Sequence, residues 1–277
     1  MKNILVVEDS PLVRNLLNDV LGTAGHHVTT TADGAEALQM LGRDHYDLVL
    51  LDVWLPKMNG LELLAKLHAV GKTVKAVVIT ADDTPETLLT AVREQAFHYI
   101  RKPFKPDTLL EVVNMALAEG APQLPIEVIS ARPEWVELVV PSDLHTAERI
   151  QFFMDQLKSD LPSEVRESVG RAFRELLLNA IEWGGRLDPT RKVRIACLRT
   201  RRMVLYRIAD PGQGFRLEDL PHAAVNNPPD EPFRHHQIRE EKGLRAGGFG
   251  LLMTRAFVDE LIYNEARNEV VCIKYLD

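Results

Sequence analysis

The amino-acid sequence predicts a doubly wound α/β domain with a five-stranded parallel sheet, followed by an α+β two-layer sandwich. In residues 1–120, five short apolar runs alternate with helix-like patterns, as in successive βα units of a parallel sheet. In residues 134–277, strand patterns come in neighbouring pairs, which favours antiparallel strands covered by helices on one face. The stretch 121–133 contains Ala121-Pro122-Gln123-Leu124-Pro125, and this composition predicts a linker.

The helices of the first domain carry start and stop signals. Pro11, Pro85 and Pro106 each open a helix pattern, where the missing N–H of proline costs little. Gly22 and Gly25 close the first helix. The predicted elements are strand 3–7, helix 11–23, strand 27–30, helix 34–42, strand 47–51, helix 60–69, strand 74–79, helix 85–95, strand 97–100 and helix 106–118.

The second domain opens with an apolar strand, after which Ser142-Asp143 supply the N-cap of a helix. Pro, Asn, His and charged residues are frequent in 216–247, so this stretch predicts a mobile loop. The predicted elements are strand 135–140, helices 143–158 and 163–183, strands 191–199 and 203–209, helix 249–260, and strands 261–266 and 269–276.

Composition narrows the class of protein. The 277 residues are 45% apolar and 26% charged, as in globular proteins, and no apolar run is long enough to cross a membrane. Carboxylates interrupt the apolar start at once, so no signal peptide is predicted. Cys197 and Cys272 are too few for a disulfide framework, which favours a reducing cytoplasm. The net charge of −7 disfavours binding to nucleic acid.

Polar side chains with phosphate chemistry follow four apolar runs of the first domain. Glu8-Asp9, Asp52, Thr80 and Lys102 each come where a parallel strand would end, and ligands bind at that edge of an open α/β sheet. The three carboxylates are the oxygen ligands that Mg²⁺ prefers. The ammonium group and the hydroxyl group can contact phosphoryl oxygens. The pattern therefore predicts that Asp52 is a phosphorylation site.

These residues and their spacing resemble the receiver domain of bacterial response regulators, over roughly residues 1–120. The resemblance implies that Asp52 accepts phosphate from a cognate histidine kinase and that Thr80 and Tyr99 form a switch pair. It implies that Lys102 contacts the phosphate. The implied ligands of Mg²⁺ are Glu8, Asp9, Asp52 and the backbone carbonyl of Trp54. For Tyr99, a packed surface residue of an edge strand is the alternative interpretation.

A second group of motifs lies in the second domain. Glu175 and Asn179 are four residues apart, hence on one face of the helix 163–183, and Glu182 adds a third polar group. Asp210-Pro211-Gly212-Gln213-Gly214-Phe215 follows a strand, and its glycines permit close backbone approach to a ligand. Gly247-Gly248-Phe249-Gly250 opens a helix, whose N-terminus favours phosphate.

In this order, the motifs resemble the ATP-binding boxes of the gyrase/histidine-kinase ATPase superfamily, which has a Bergerat-type fold. The Asn-Ala-x-x-x-Gly sequence is most similar to the anti-sigma-factor serine kinases. The resemblance implies that Asn179 coordinates Mg²⁺ on ATP, that Glu175 is the general base for a protein serine, and that Asp210 binds adenine. The glycines implied to shape the ATP pocket, under a lid at 216–247, are Gly212, Gly214, Gly248 and Gly250.

The sequence departs from that family at two places. Trp183 stands where the family usually has histidine, and the lid is longer than the compact members need. Lys242 and Arg245 in the lid are candidate phosphate contacts, with solvated surface charges as the alternative.

Three other outputs are alternatives for the second domain. A histidine kinase would need a dimerising helical hairpin, and only about 15–20 residues, at ~1.5 Å each, separate the domains. His145 is therefore interpreted as a surface residue at a helix start and not as the phosphorylated histidine of such a kinase. A non-catalytic module that binds and sequesters a protein stays open. A transcription factor is disfavoured because there is no helix-turn-helix pattern.

The hypothesis is a two-component response regulator whose output is a serine kinase-type, anti-sigma-like ATPase. Phosphate on Asp52 would change how the receiver domain packs on the ATPase domain, or how the protein forms a homodimer. The implied partners are an anti-sigma-factor antagonist, a sigma factor, or both in competition.

Overall fold

The computed structural model describes residues 1–82, 84–118, 124–132, 134–158, 160–216, 224, 227–228, 230–241 and 250–276, without the side chain of Arg239. The chain divides into two compact units, Met1–Gln123 and Leu124–Asp277. Each unit has its own sheet and its own buried core.

The first unit is a five-stranded parallel sheet in the order β2-β1-β3-β4-β5, with a helix after each strand. This is the predicted doubly wound architecture, and the sheet order reverses direction at β1 and β3. The strands are β1 (Asn3–Val7), β2 (His27–Thr31), β3 (Leu48–Leu51), β4 (Ala76–Thr80) and β5 (His98–Arg101). The helices are α1 (Pro11–Thr23), α2 (Gly34–Arg43), α3 (Gly60–Ala69), α4 (Pro85–Arg93) and α5 (Pro106–Leu117).

Local sequence explains where these helices begin. The side chains of Asp33, Asn59 and Thr84 each accept a hydrogen bond from a backbone N–H in the first turn of α2, α3 and α4. Proline occupies the first position of α1, α4 and α5. The central strands β1, β3 and β4 are apolar and buried except for the exposed Asn3 at the start of β1 and the buried Thr80 at the end of β4, because helices cover both faces of the sheet.

The second unit is a six-stranded antiparallel sheet in the order β10-β11-β9-β8-β7-β6. Its strands are β6 (Glu127–Arg132), β7 (Trp135–Pro141), β8 (Lys192–Arg199), β9 (Met203–Ala209), β10 (Glu260–Tyr263) and β11 (Glu269–Tyr275). The described helices are α6 (Leu144–Gln156), α7 (Ser163–Asn179), α8 (Arg234–Glu241) and α9 (Gly250–Phe257), and a π-helical turn Ala180–Gly184 continues α7.

The core of the second unit lies on one face of this sheet. Alternate residues of the central strands, such as Val136, Ile195 and Tyr206, are buried, and Phe153 of α6 and Phe173 of α7 are buried with them. The ring of Phe173 lies 4.7 Å from that of Tyr206. This period-two burial is that of an antiparallel sheet with helices on one face, as predicted.

Three elements differ from the sequence-based assignment. Strand β6 lies inside the stretch predicted as linker, where it pairs antiparallel with β7 through a bulge between Val128 and Ser130. The predicted helix 163–183 ends as an α-helix at Asn179 and continues as the π turn. Helix α8 lies within the predicted loop 216–247.

Cys197 and Cys272 are buried and form no disulfide with each other. Within the described ranges, no helix combines the length and the apolar character that a bilayer crossing requires.

Candidate functional site

The carboxyl ends of β1 and β3 bring three carboxylates together. Glu8, Asp9 and Asp52 each offer an oxygen, and these three atoms lie within 4.8 Å of one another. Glu8 and Asp52 are buried and Asp9 is exposed. The Asp52 N–H donates to the carbonyl of Val7 at 2.9 Å, which holds the two strand ends side by side. The predicted convergence of these side chains is therefore present.

Lys102 lies between the two buried carboxylates. Its ammonium group donates to Glu8 Oε2 and to Asp52 Oδ2, each at 2.6 Å. Burial raises the pKa of Glu8 despite the hydrogen bond from Lys102. For Lys102, burial acts to lower the pKa, but the hydrogen bonds to Asp52 and Glu8 leave that pKa raised. The ammonium group is thus held in its charged form against both carboxylates.

The carboxylate cluster fits a small divalent cation. Mg²⁺ binds oxygen at about 2.0–2.1 Å, so two of its ligands lie at most about 4.2 Å apart. The 4.8 Å spread of the three oxygens comes within a small side-chain movement of that value. The oxygens that do not contact Lys102, Glu8 Oε1 and Asp52 Oδ1, accept from the N–H groups of Ser10 and Trp54, each at 3.2 Å. Glu8, Asp9 and Asp52 would therefore hold the metal.

Gly60 keeps the loop after β3 in place, a role that the sequence analysis did not assign. A Cβ atom on Gly60 would lie 2.1 Å from the Asp52 carbonyl oxygen. The Gly60 N–H donates to the carbonyl of Val53 at 2.9 Å. Only glycine permits this approach of α3 to the strand end that carries Asp52.

Thr80 is the last residue of β4, and Tyr99 lies in the neighbouring strand β5. Both residues are buried. The Thr80 hydroxyl accepts from the N–H of Asp82 at 3.2 Å, and the Tyr99 hydroxyl donates to the carbonyl of Asp82. Tyr99 is 1% exposed, so it is not a surface residue although β5 is an edge strand. The structure links the predicted switch pair through Asp82, which the sequence analysis did not single out.

In the second unit, Glu175 and Asn179 lie on the same face of α7, as predicted. Gly250, the first residue of α9, lies against both side chains. A Cβ on Gly250 would lie 2.5 Å from Glu175 Oε2 and 3.8 Å from Asn179 Nδ2. The structure thus brings together the helix motif and Gly250, the residue of the final glycine motif that lies within the described residues.

Asp210 lies at the end of β9, half-buried beneath the π turn. Its Oδ1 accepts from the N–H of Gly212 at 2.7 Å. Burial raises its pKa, while the Gly212 N–H and the charge of Arg191 act to lower it. A Cβ on Gly184 would lie 2.1 Å from Asp210 Cγ, so this glycine leaves room for the carboxylate. Gly184 closes the Asn-Ala-x-x-x-Gly motif of the sequence analysis, which did not assign it this contact with Asp210.

Gly214 requires glycine for two reasons. Its φ is +79°, in the left-handed region, and a Cβ there would lie 1.6 Å from the carbonyl oxygen of Ala266. Asn268 donates to the carbonyl of Gly212 at 2.9 Å, and its own carbonyl accepts from the Asp210 N–H at 2.9 Å. The β10–β11 connection therefore supports the loop that carries Asp210, Gly212 and Gly214.

The structure does not describe all of the residues predicted for the nucleotide site. Gly248, Lys242 and Arg245 lie outside the described residues, as does much of the lid 216–247. Trp183 is 48% exposed at the end of the π turn.

A cavity of about 360 Å³ lies beside α9. Its described lining comes from the loop after β9, from α9 and from the β10–β11 connection, and includes none of Glu175, Asn179 and Asp210: Phe215, Leu251, Arg255, Tyr263, Asn264, Glu265 and Arg267. We therefore regard it as separate from the predicted nucleotide residues.

Comparison with known families gives one match for each part of the chain. Residues 4–114 match the response regulator receiver domain. Residues 140–274 match the histidine kinase-like ATPase domain. The second match spans the motifs at Glu175, Asn179 and Asp210.

Individual relatives agree with the first match. The DNA-binding response regulator MtrA of Mycolicibacterium smegmatis is 32% identical over 205 residues, 73% of this chain and 88% of MtrA. The transcriptional regulatory protein GlrR of Escherichia coli is 31% identical over 120 residues, 43% of this chain and 27% of GlrR. A solved CheY-like receiver domain protein from Methanospirillum hungatei is 31% identical, covers 42% of this chain and 94% of that chain, and has a TM-score of 0.41.

The two matches correspond in order to the two sheets. The receiver match corresponds to the parallel sheet with its carboxylate cluster, and the ATPase match corresponds to the antiparallel sheet with its glycine motifs. The chain belongs to the response regulators, with an N-terminal receiver domain followed by a C-terminal histidine kinase-like ATPase domain.

Proposed function

We propose that this response regulator is phosphorylated at Asp52 and that the phosphate controls an ATP-using protein kinase domain. The observation that carries the first half is the arrangement of Glu8, Asp9 and Asp52 with Lys102 at 2.6 Å from two of them. A buried acceptor carboxylate beside two metal-binding carboxylates and a fixed cation suits phosphoryl transfer, which depends on positioning and on offsetting charge.

The donor is the phosphohistidine of a cognate histidine kinase. An Asp52 oxygen attacks the phosphorus atom, the P–N bond breaks as the new P–O bond forms, and the leaving imidazole nitrogen takes up a proton. Mg²⁺, when held by Glu8, Asp9, Asp52 and the backbone carbonyl of Trp54, offsets the charge of the phosphoryl oxygens. Lys102 contributes a second positive charge, and its place beside Asp52 supports this role.

Thr80 and Tyr99 are proposed as the switch pair. A phosphoryl oxygen on Asp52 is an acceptor for the Thr80 hydroxyl, and Tyr99 then follows through the β4–α4 loop. The shared contact of both hydroxyls with Asp82 supports such a connection.

For the second domain we propose ATP as the ligand. Asp210 accepts the adenine amino hydrogen, and Asn179 holds Mg²⁺ on the phosphates. Gly212, Gly214 and Gly250 shape the pocket, and the proposal extends to Gly248, which lies outside the described residues. The approach of Gly250 to Glu175 and Asn179 supports this, because the start of α9 then faces both side chains and a helix N-terminus favours phosphate.

The output chemistry is proposed to be transfer of the γ-phosphoryl group to a serine of another protein. Glu175 takes the hydroxyl proton, the serine oxygen attacks the γ-phosphorus atom, and ADP leaves. The partner is an anti-sigma-factor antagonist, a sigma factor, or both in competition. This class of partner rests on the similarity of the Asn179-Ala180-x-x-x-Gly184 sequence to anti-sigma-factor serine kinases.

The buried free cysteines agree with the expected cytoplasm.

The receiver half is tested by treating the full chain with acetyl phosphate and Mg²⁺. Wild type and Asp107→Asn, a control at an exposed aspartate of α5, should each gain one phosphoryl group by intact-mass measurement. Asp52→Asn should gain none. Equal labelling of Asp52→Asn and wild type would refute Asp52 as the acceptor.

The kinase half is tested with labelled ATP and candidate antagonist proteins. Wild type and Glu164→Gln, altered at an exposed residue in the first turn of α7, should label a serine of the antagonist, and Glu175→Gln should not. Tight binding of the antagonist without any labelling by wild type would favour the alternative, a non-catalytic sequestering module.

A further inference from the structure

The cavity beside α9 is lined by a tyrosine whose buried hydroxyl group has no hydrogen-bond partner within the described part of the chain. This residue is Tyr263, the last residue of β10. Buried polar groups in folded proteins are nearly always hydrogen-bonded, so an unpaired hydroxyl beside a cavity points to a ligand. Burial raises the pKa of Tyr263 to about 12, although the charges of Arg255 and Arg267 act to lower it. The hydroxyl therefore keeps its proton at neutral pH and can donate it to an acceptor.

Two guanidinium groups line the same cavity. Arg255 belongs to α9, and Arg267 belongs to the β10–β11 connection. Among the described residues, neither arginine forms an ion pair with a carboxylate. Glu265, which is exposed, is the one carboxylate of the described lining, so two positive charges stand against one negative charge. The lining therefore favours a ligand with a single negative charge.

The rest of the described lining is largely apolar and aromatic. The rings of Phe215 and Tyr263 meet edge to face, with their centroids 5.9 Å apart and an angle of 84° between their planes. The Arg267 guanidinium lies 6.0 Å from the centre of the Phe215 ring, as in a cation–π contact. Leu251 of α9 adds an aliphatic side chain. A flat apolar body would pack against these side chains while an anionic group reaches the arginines.

The β10–β11 connection holds its part of the cavity in place before any ligand binds. The Asn264 side chain accepts from the N–H groups of Asn268 and Glu269 at 3.1 and 3.2 Å and donates to Asn268 Oδ1 at 2.8 Å. The Arg267 N–H donates to the Asn264 carbonyl at 3.1 Å. Because this connection is already ordered, little conformational entropy would be lost when a ligand binds.

We propose that this cavity binds a small aromatic carboxylic acid in its ionised form, at a site separate from the one proposed for ATP. The carboxylate lies between Arg255, Arg267 and the Tyr263 hydroxyl, which all donate hydrogen bonds, and the planar guanidinium group matches a planar carboxylate. The aromatic body packs on Phe215 and Leu251. A volume of about 360 Å³ falls at the lower end of the range of about 300–1,000 Å³ for small-molecule sites.

The site lies next to the glycine motifs without using the residues proposed for ATP. Phe215 directly follows Gly214, and Leu251 directly follows Gly250. The cavity lining includes none of Glu175, Asn179 and Asp210. We therefore expect the aromatic acid and ATP to be bound at the same time.

The test measures binding of cinnamate, an aromatic carboxylate, to the full chain by isothermal titration calorimetry. Cinnamamide, which has the same shape and no charge, is the matched ligand control. We expect one cinnamate per chain and at least tenfold weaker binding of cinnamamide, because hydrogen bonds to a charged acceptor are stronger than those to a neutral one. Equal affinity for the two compounds, or no binding of cinnamate at millimolar concentration, would overturn the inference.

Variants locate the bound cinnamate. Arg255→Gln and Arg267→Gln should each weaken binding roughly tenfold, and Tyr263→Phe should weaken it roughly two- to tenfold. Arg202→Gln is the control, because Arg202 is an exposed arginine of the turn between β8 and β9 and does not line the cavity. It should bind cinnamate as wild type does. If Tyr263→Phe does not fold, the two arginine variants decide, and wild-type affinity in both would place cinnamate elsewhere.

A titration at increasing concentrations of ATP with Mg²⁺ separates the two sites. An apparent Kd for cinnamate that stays constant, or that changes and then reaches a plateau, supports separate sites. An apparent Kd that rises in proportion to the ATP concentration means competition for one site and overturns the inference. Failure of wild type to bind ATP would overturn the proposed nucleotide site but not this inference, which the arginine variants still decide.

Discussion

Lys102 shows how a buried acidic site can exist before any metal is bound. Two carboxylates in a buried pocket repel each other and lose hydration, which favours their neutral forms. An ammonium group 2.6 Å from both offsets that repulsion. Burial still raises the pKa of Glu8, so one cation does not fully compensate for the lost hydration. A divalent cation would find a site that is already organised and still short of positive charge.

Single residues at strand ends were predictable, whereas residues with roles set by tertiary contact were not. Asp52, Thr80 and Lys102 directly follow or end apolar strands, so topology alone brings them to one edge of the sheet. Asp82 and Gly184 do not lie at the end of an apolar strand. The contact of Asp82 with Tyr99 and the contact of Gly184 with Asp210 depend on how loops fold over the strand ends.

At this scale, Asp210→Asn tests the adenine contact. Asn can present its NH₂ group where the carboxylate accepts, so we expect ATP binding to weaken roughly 10- to 100-fold, the effect of losing a charged acceptor. Isothermal titration calorimetry with ATP and Mg²⁺ measures the affinity. Asp188→Asn is the control, because Asp188 accepts from Thr190 in a surface loop. Equal affinity of Asp210→Asn and wild type would remove Asp210 from the site.

Strands and helices with strong periodicity were predicted to within a few residues, and the misassigned segments have local reasons. Strand β6 is a half-exposed edge strand with a bulge, so its apolar alternation is weak and the nearby prolines suggested a linker. The π turn follows Asn179 without any helix breaker, so the sequence reads as one helix. Its wider path brings Gly184 against Asp210.

Gly184→Ala tests the contact between the π turn and β9. The added Cβ would lie 2.1 Å from Asp210 Cγ, so either the turn or the carboxylate must move. We expect the free energy of unfolding to fall by about 1–3 kcal/mol, as for overpacking, and ATP affinity to fall with it. Urea denaturation and calorimetry measure the two effects. Gly22→Ala, where a Cβ meets nothing within 4 Å, should leave ATP affinity unchanged and should raise the free energy of unfolding by up to about 1 kcal/mol, because alanine favours a helix more than glycine does.

The pairing of β9 with β11 predicts a pH dependence of stability. Arg207 holds Glu269 in a bidentate ion pair at 2.7 and 3.0 Å, and this hydrogen bonding lowers the pKa of Glu269 against the effect of burial. Because the pKa of Glu269 is lower in the folded protein, the ion pair stabilises the fold at pH values above the ordinary pKa of 4.5. This contribution is lost as the pH falls through the folded-state pKa.

Glu269→Gln should therefore lower the free energy of unfolding at neutral pH by about 0.5 kcal/mol, a small value because the pair is partly exposed and screened. The difference from wild type should vanish when the pH falls below the folded pKa of Glu269. Urea denaturation at several pH values measures it. A difference that persists unchanged at the lowest pH would assign the effect to packing rather than to charge.

For the whole molecule, the question is how one domain biases the other. Each domain forms a separate unit with its own core, so coupling requires that phosphorylation change a contact or a partner's affinity. The proposed input of the receiver is aspartyl phosphate, and the proposed output of the ATPase domain is phosphoserine on another protein. The order of the domains was predictable from motif order along the chain, whereas the coupling depends on how the domains and their partners meet.

The most direct test measures the initial rate of γ-phosphoryl transfer from ATP to a serine-bearing antagonist protein by the full chain. The rate is compared with and without beryllofluoride at Asp52, and Asp52→Asn serves as the control that should not respond. We expect the rate to change on beryllofluoride binding in wild type and to stay constant in Asp52→Asn. Equal rates for wild type in the two states, with beryllofluoride bound, would contradict control of the output by Asp52.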